Sequence, residues 1–410
     1  MTERPVRLGL RENVRQFSLL VAINAFVGAM VGLERSMLPL IGRDEFDVTS
    51  TAAVLSFVVA FGLAKAFTNL AAGALADRIG RRRLLIAGWV AALPVPLLIA
   101  VAPSWGWVVA ANVFLGLNQG LAWSMTVVMK IDLVGRKRRG FALGLNESAG
   151  YGGVALAALA TGLLASEFAA RNVLVVAGAA IALVALAASV AFVRDTGAHV
   201  TEEQRLSGDT EDREPLSLRE AFPEATFRRP ALRACSQAGL FNNLNDALAW
   251  GLVPLYLAAH GAGPGRIGLV AGVYPAVWAV TQIWTGHLSD RVGRKPLIVA
   301  GMQLQAVGLV LLALSEGALG AALVAAALVG FGTALVYPTL IAAISDVVAP
   351  VERATTVGVY RFWRDMGYVA GGLIVGLAAD AIDYGGAIAL VAGLTAASGA
   401  WAAIDLPGRS

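Results

Sequence analysis

Charge is scarce in this chain. Of its 410 residues only 15% are Asp, Glu, Lys or Arg, while 57% are hydrophobic. Soluble domains carry about 25% charged residues, and a compact fold of this size has too little interior to hide so much apolar surface. The composition argues against a soluble enzyme and against a disordered chain. It points to a protein solvated by lipid, with a mean hydropathy of +0.69. Cysteine is nearly missing: Cys235 stands alone, so no internal disulfide can form and a thiolate metal site has no second ligand. The three histidines, His199, His260 and His287, are far apart and form no ligand cluster. Neither a Walker A sequence nor H-E-x-x-H occurs, so nucleotide-driven transport and metalloprotease chemistry lack their residues. The expectation is therefore no cofactor and no enzyme. A pI of 9.4 invites a nucleic-acid reading, but the bases sit at the ends of apolar stretches, which rejects it.

What the chain does have is long hydrophobic runs. A membrane helix needs about 20 mostly apolar residues. Twelve stretches qualify, roughly 17–41, 51–75, 84–102, 106–131, 141–165, 172–193, 233–258, 266–288, 297–315, 318–345, 356–379 and 386–404. The first 16 residues are polar and basic, and no cleavable signal is evident. Lys and Arg mark the cytoplasmic side of a span. Alternate loops are loaded with them: Arg78, Arg81, Arg82 and Arg83, then Arg136, Lys137, Arg138 and Arg139, then Arg291, Arg294 and Lys295. The intervening loops carry Asp44, Glu45, Asp47, Glu167, Asp380 and Asp383. Both termini are thus expected in the cytoplasm of a multi-pass protein of the cell (inner or plasma) membrane. Arg4, Arg7, Arg11 and Arg15 would share a helical face and rest on anionic lipid.

Residues 195–232 interrupt this pattern with charge, including Glu202, Glu203, Asp209, Glu211 and Asp212. They divide the chain into a six-span unit (1–194), a cytoplasmic linker (195–232) and a second six-span unit (233–410). Ser217 and Glu220 have capping-box spacing, which predicts a short helix leading into the seventh stretch.

The two units look like copies. Residues 73–83 read GALADRIGRRR and residues 286–296 read GHLSDRVGRKP. Further pairs keep nearly the same offset: Pro39 with Pro254, Asp132 with Asp346, Arg139 with Arg353, Gly144 with Gly358. Parallel six-span repeats are a transporter architecture, with a binding site between the repeats near the midplane. The expected fold is all-α, integral to the membrane, with twelve transmembrane helices in two pseudo-symmetric six-helix bundles.

With G-x-L-x-D-R-x-G-R-[RK] after the second and eighth spans, the chain resembles the major facilitator superfamily over nearly all of its length. The resemblance implies secondary active transport by alternating access, spans 1, 4, 7 and 10 lining the cavity, and a monomer. It also assigns a conformational gate to Gly73, Asp77, Arg78, Gly80, Arg81 and Asp132 and to their copies Gly286, Asp290, Arg291, Gly293, Arg294 and Asp346. Asp77 would approach the positive end of span eleven, worth about 0.3–1 kcal/mol. One of Arg78 or Arg81 would pair with Asp132, and the second copy would repeat this logic with Asp290 and Arg291 or Arg294, near span five and Asp346. Contacts made only with the cytoplasmic side closed would bias the carrier outward-facing. The drug-antiporter branch of this family usually has an Arg before the Gln-Gly pair of span four and a Gly-Pro pair in span five. Here Gln119-Gly120 is present with Gly116 at the Arg position, and span five has no proline.

Ionisable residues at mid-span cost at least about 2.5–3.5 kcal/mol on insertion scales and must face a cavity or a partner. In span eleven Arg361, Arg364, Asp365, Tyr368 and Gly372 fall on one helical face, with Arg361 and Asp365 at i,i+4. Lys65 lies about as deep as Arg364. Spans two and eleven are neighbours in the family, so Lys65 is expected to approach Asp365. Glu147 lies in the Asn146-Glu147-Ser148 run of span five, and Asp246 shares a face with Asn243, Trp250 and Pro254 in span seven. A buried carboxylate without a full partner can take up and release a proton, so Glu147, Asp246 and Asp365 are the proton-coupling candidates. Each has a structural alternative, an acid pinned to a basic residue. Glu34 and Arg35 would form an extracytoplasmic gate. The remaining cavity candidates are Asn24, Arg35, Lys65, Gln119, Trp123, Asn243, Tyr274, Trp278, Gln282, Tyr337, Arg361 and Arg364. Aromatic rings with amides suit an organic, partly apolar ligand. The first expectation is proton-coupled efflux of a small organic compound. The alternatives are uptake of an organic anion, for which Lys65, Arg361 and Arg364 speak, and a non-transporting sensor or scaffold. The partners implied are that small molecule, protons and the lipid bilayer, with no nucleic acid.

Overall fold

The computed structural model describes residues 7–135, 139–207, 217–349 and 352–408. Among them there is no strand, and twelve long helical units follow one another. They are α1 (Val14–Asp44), α2 (Ser56–Ile79), α3 (Arg81–Ala92, continued by Pro94–Val101), α4 (Trp105–Asn118, a π-helical turn Gln119–Trp123, then Ser124–Val134), α5 (Arg139–Leu164), α6 (Ala170–Phe192), α7 (Pro230–Ala259), α8 (Pro264–Val292), α9 (Arg294–Ala313), α10 (Leu319–Val347), α11 (Arg353–Ala381) and α12 (Tyr384–Asp405). A single turn of helix, Thr51–Val54, precedes α2. The break in α3 falls at Leu93, where Pro94 and Pro96 remove backbone donors.

Eight of these units are long and apolar enough to cross a membrane by length and composition: α1, α2 with its preceding turn, α3, α6, α8, α9, α10 and α12. The other four, α4, α5, α7 and α11, hold most of the buried polar side chains, among them Asn112, Lys130, Glu147, Asn243, Asp246, Arg364 and Asp365. The segments that are poorest as membrane helices are thus the ones that carry the candidate chemistry. Large apolar side chains such as Leu97, Leu156, Val176, Phe192, Trp284 and Ile404 are exposed around the outside, a surface that suits lipid.

The helices α5 and α8, and α2 and α11, make the broadest contacts between the first six helices and the last six, with α1 touching α7. Glycine permits the closest of them. A Cβ on Gly162 would overlap the backbone of Gly268, and one on Gly376 would meet Ala52 at its Cα. These contacts lie toward the face opposite the two chain ends. There Asp380 at the end of α11 accepts hydrogen bonds from Ser50 Oγ (2.6 Å), Thr51 N (2.6 Å) and Ala52 N (3.1 Å), capping the turn before α2. Toward the terminal face the joins run as far as Phe67 against Phe362, with ring centroids 5.5 Å apart, and Ser148 Oγ donating to Ala279 O at 2.8 Å. Beyond them, Gly144 in α5 and Gly358 in α11 have no heavy atom within 4 Å of where a Cβ would stand. Among the described residues, the closest approaches between the two sets of helices therefore lie toward the face opposite the chain ends.

Between α6 and α7 the chain forms a helix, Gly197–Ser207, and then a shorter one, Leu218–Pro223, with Ser217 and Glu220 in a capping box. Thr196 Oγ1 donates to Asp132 Oδ2 at 2.6 Å, which ties the start of this connection to the end of α4.

Candidate substrate chamber

Two groups of buried charge lie between the two sets of six helices. In the first, every carboxylate oxygen is taken. Arg35 of α1 grips Asp246 of α7 with both terminal nitrogens, at 2.6 and 2.8 Å, and Tyr368 of α11 donates to the same carboxylate at 2.6 Å. Trp250, one helical turn after Asp246, lies under the Arg35 guanidinium at 5.5 Å. Nearby, Asp365 of α11 receives Lys65 of α2 at 3.5 Å, Arg364 at 3.2 Å and a hydrogen bond from Asn69 of α2. Both carboxylates are wholly buried, and each ties a helix of the first six to one of the last six. Burial of such ions is tolerable because opposite charge and hydrogen bonds surround them.

The second group is open. Tyr151 of α5 stacks on Trp278 of α8 at 3.4 Å, Trp123 of α4 approaches Tyr151 at 5.2 Å, and Tyr337 of α10 meets Trp278 edge-on at 5.7 Å. Tyr274 stands 5.9 Å from Trp278. The Arg364 guanidinium lies 4.7 Å over the Tyr337 ring, and Tyr337 is within electrostatic reach of Glu147, Arg361 and Arg364. Glu147 is 6% exposed. Its Oε1 accepts from Trp123 Nε1 at 2.9 Å and from Asn146 Nδ2 at 3.0 Å, while Oε2 has no partner. Trp278 Nε1, Gln282 Nε2, Arg361 Nε and Arg364 Nε are likewise buried without an acceptor. A buried polar atom left unmade costs about 1–3 kcal/mol, and several of them collect here around one ring of aromatics.

Position by position, the candidates separate. Trp123, Glu147, Trp278, Gln282, Tyr337, Arg361 and Arg364 come together in this chamber, with Tyr274 at its edge. Asn24 does not: its amide donates to Asn146 O at 2.6 Å and accepts from Thr126, inside the contact of α1, α4 and α5. Gln119 donates to Val27 O at 2.8 Å and holds α4 against α1. Asn243 packs where Gly367 of α11 crosses α7, with its Nδ2 unpartnered. Arg35 and Lys65 are consumed by the two ion pairs. One expectation needs correction. Glu34 and Arg35 form no joint gate, because Arg35 reaches α7 while Glu34 turns into the first six helices, buried beside Asn112. Arg361 is the arginine left over: Lys65, Arg364 and Asn69 occupy Asp365, and among the described residues no carboxylate lies within 4.0 Å of Arg361.

In the repeated motif, Gly73, Asp77 and Gly286 lie outside the residues whose side chains are described. Gly80 and Gly293 end α2 and α8 at φ 96° and 104°, a left-handed bend that only glycine takes without strain. Arg78 and Arg291 are exposed. Arg81 reaches Asp132 at 3.3 Å, and Arg294 binds both Asp290 at 2.6 Å and Asp346 at 3.0 Å. These pairs join helices of the same six, α3 to α4 and α8 and α9 to α10.

Three residues escaped the reading of the sequence. Lys130 of α4 is fully buried, donates to Leu20 O at 3.3 Å and has Glu147 as a charged neighbour. It lies at the edge of the expected span 106–131. Tyr151 and Asn69 stand four residues after Glu147 and Lys65, so helical spacing could have placed each on the face of the charge it follows.

A profile of the Major Facilitator Superfamily matches residues 18–244 and again 235–409. Over 297 residues the chain is 23% identical to the multidrug resistance protein MdtG of Citrobacter koseri, covering 70% of each chain, and equally to MdtG of Salmonella choleraesuis. A segment of 60 residues is 50% identical to the inner membrane transport protein YajR of Escherichia coli K12, though it spans only 15% of this chain and 13% of YajR. The family profile takes in both sets of six helices, and the chain belongs to the Major Facilitator Superfamily of membrane transporters.

Proposed function

We propose that the chain is a proton-coupled secondary carrier of a small organic compound, working by alternating access as a monomer in the bacterial inner membrane. In this reading the twelve helices cross the bilayer as two related bundles, 1–194 and 233–410, joined by the segment 195–232, and the terminal face is cytoplasmic. The Arg35–Asp246 and Lys65–Asp365 pairs are the latches that close the outside.

The reading rests on the unpartnered groups of the chamber, contributed by α5, α8 and α11 from both bundles. Glu147 is the coupling carboxylate we assign. Asp246 and Asp365 are each bound by cations, whereas Glu147 keeps one oxygen free beside the chamber. A site that must exchange a proton needs an oxygen that another group has not claimed.

Two directions each have an observation in their favour. Export is supported by the multidrug-resistance name of relatives at 23% identity. Uptake of an organic anion is supported by Arg361 and Arg364, which face the chamber with unused donors. Reconstitution tests the carrier itself. A panel of organic acids and lipophilic cations should include one that drives proton flux in proteoliposomes. Glu147→Gln should abolish accumulation driven by a pH gradient while sparing exchange of preloaded compound. If Glu147→Gln still concentrates the compound, the coupling assignment is wrong. If no compound moves protons, a scaffold reading replaces the carrier.

A further inference from the structure

The chamber is unbalanced in its hydrogen bonding. Trp278 Nε1, Arg361 Nε and Arg364 Nε are donors whose identity no turning of an amide can change, and none has an acceptor. Gln282 Nε2 adds a fourth. The charge is unbalanced in the same sense. Asp365 serves two cations, Lys65 and Arg364, and Arg361 has no carboxylate within 4.0 Å among the described residues. What completes such a place must bring acceptors and negative charge, and it must fit among Trp123, Tyr151, Trp278 and Tyr337.

We propose that the chamber binds an aromatic organic carboxylate, its carboxylate on Arg361 and Arg364 and its ring among Trp123, Trp278 and Tyr337, and that it binds this acid together with a proton on Glu147 rather than in exchange for one. The second half follows from position. Glu147 Oε2 is free in the same chamber. Ionised, it repels a ligand carboxylate; protonated, it removes that repulsion and offers an O–H donor. The other groups that face Glu147 do not reverse this sign. They are Lys130 from α4, Tyr337 from α10 and Tyr151 from its own helix, with Arg361 and Arg364 of α11 beside the same Tyr337. The helix α8 presents Trp278 and Gln282, and α1 reaches the neighbouring Asn146 through Asn24, none of them charged. Coupling between two ligands is reciprocal, so acid and proton favour each other and cross in the same direction. Given an inward proton gradient, that direction is uptake. The inference rests on the carrier reading only for this last step; binding needs no transport.

The test is calorimetric titration of the full-length protein in lipid nanodiscs with three probes of one shape: 2-naphthoate, neutral 2-naphthylmethanol and cationic 2-naphthylmethylammonium. Naphthoate should bind at least about tenfold tighter than the other two, the scale of one charge-assisted hydrogen bond, and tighter still on acidification. Glu147→Gln should keep the tight binding and lose its pH dependence. Arg361→Gln, at a half-buried position with no ion pair among the described residues, should weaken naphthoate about tenfold and leave the alcohol unchanged. Preference for the ammonium, equal binding of all three, no binding at all, or naphthoate affinity that falls on acidification overturns the proposal. The wild-type series decides it even if a variant fails to fold. Naphthoate binding without proton-coupled accumulation in proteoliposomes keeps the ligand and removes the carrier. Ammonium bound in exchange for protons does the reverse.

Discussion

The Arg35–Asp246 and Lys65–Asp365 pairs and the Glu147 chamber are built from the same residue types at similar burial, yet they differ in what is left over. In the pairs, every carboxylate oxygen has a cation or a hydrogen-bond donor. In the chamber, an oxygen of Glu147 and nitrogens of Trp278, Arg361 and Arg364 have none. A buried charge therefore does not by itself mark a functional site. In the proposed reading, acids held on both oxygens serve as latches, and the acid that keeps an oxygen among aromatic rings and free donors serves the ligand.

The largest effect should come from breaking a latch. Asp246→Ala leaves the Arg35 guanidinium buried beside Trp250 with no counter-charge, and removing one partner of a buried pair costs about 3–5 kcal/mol. Denaturant unfolding in detergent should show that loss. Arg35→Met with Asp246→Leu should regain most of it, since an apolar pair carries no desolvation penalty. Glu147→Gln keeps the acceptor for Trp123 and Asn146 and should cost less than about 1 kcal/mol. Equal losses for Asp246→Ala and Glu147→Gln would erase the distinction between latch and site.

Next in size is the contact that lets the latched face close. A side chain at Gly162 has no room against Gly268, and overpacking of this kind costs about 1–3 kcal/mol. Gly162→Leu should therefore part α5 from α8 at the face opposite the chain ends. A cysteine placed at the buried Ala271 of α8 should then react faster with an impermeant maleimide than it does with Gly162 intact. Unchanged reactivity would mean that this face opens elsewhere.

How much of this was legible in the sequence depended on distance along a helix. Depth and face were legible. Counting residues placed Lys65 level with span eleven and led to Asp365, and the repeated motif led to Arg81 with Asp132 and Arg294 with Asp346. Which of several candidates reaches a partner first was not. Arg361 and Asp365 share a face, but Lys65 and Asn69 arrive from another helix and take the carboxylate. Glu34 and Arg35 are neighbours in sequence yet point about 100° apart around α1, at 3.6 residues per turn, so one finds α7 and the other Asn112. Lys130 was hidden by an uncertainty of a few residues in where a span ends. Such outcomes are settled by tertiary neighbours, which periodicity does not encode.

The smallest effect concerns the connection between α6 and α7, which lies outside the spanning helices and repeats the latch-and-site contrast on one residue. His199, in the helix Gly197–Ser207, is half-buried, with Nε2 3.3 Å from Asn13 Oδ1 and Nδ1 buried without any acceptor. The neutral ring satisfies this place by donating from Nε2. A second proton would sit on Nδ1 with nothing to receive it, and burial holds the ring below its ordinary 6.5. The sign follows. Undocked, the ring titrates near 6.5, so below that pH the undocked form binds more protons and docking weakens as pH falls. Amide exchange across 197–207 should therefore be slower at about pH 8 than at about pH 5.5, after correction for intrinsic rates, because only the lower value lies below the ordinary range of histidine. His199→Gln retains a donor and cannot charge, so it should flatten the difference while leaving Thr196 bound to Asp132. The exposed Glu202–Arg205 pair on the same helix, at 2.7 Å, is screened by solvent and should not substitute for it. A pH dependence that survives His199→Gln would assign the docking to that pair or to the end of α4 instead.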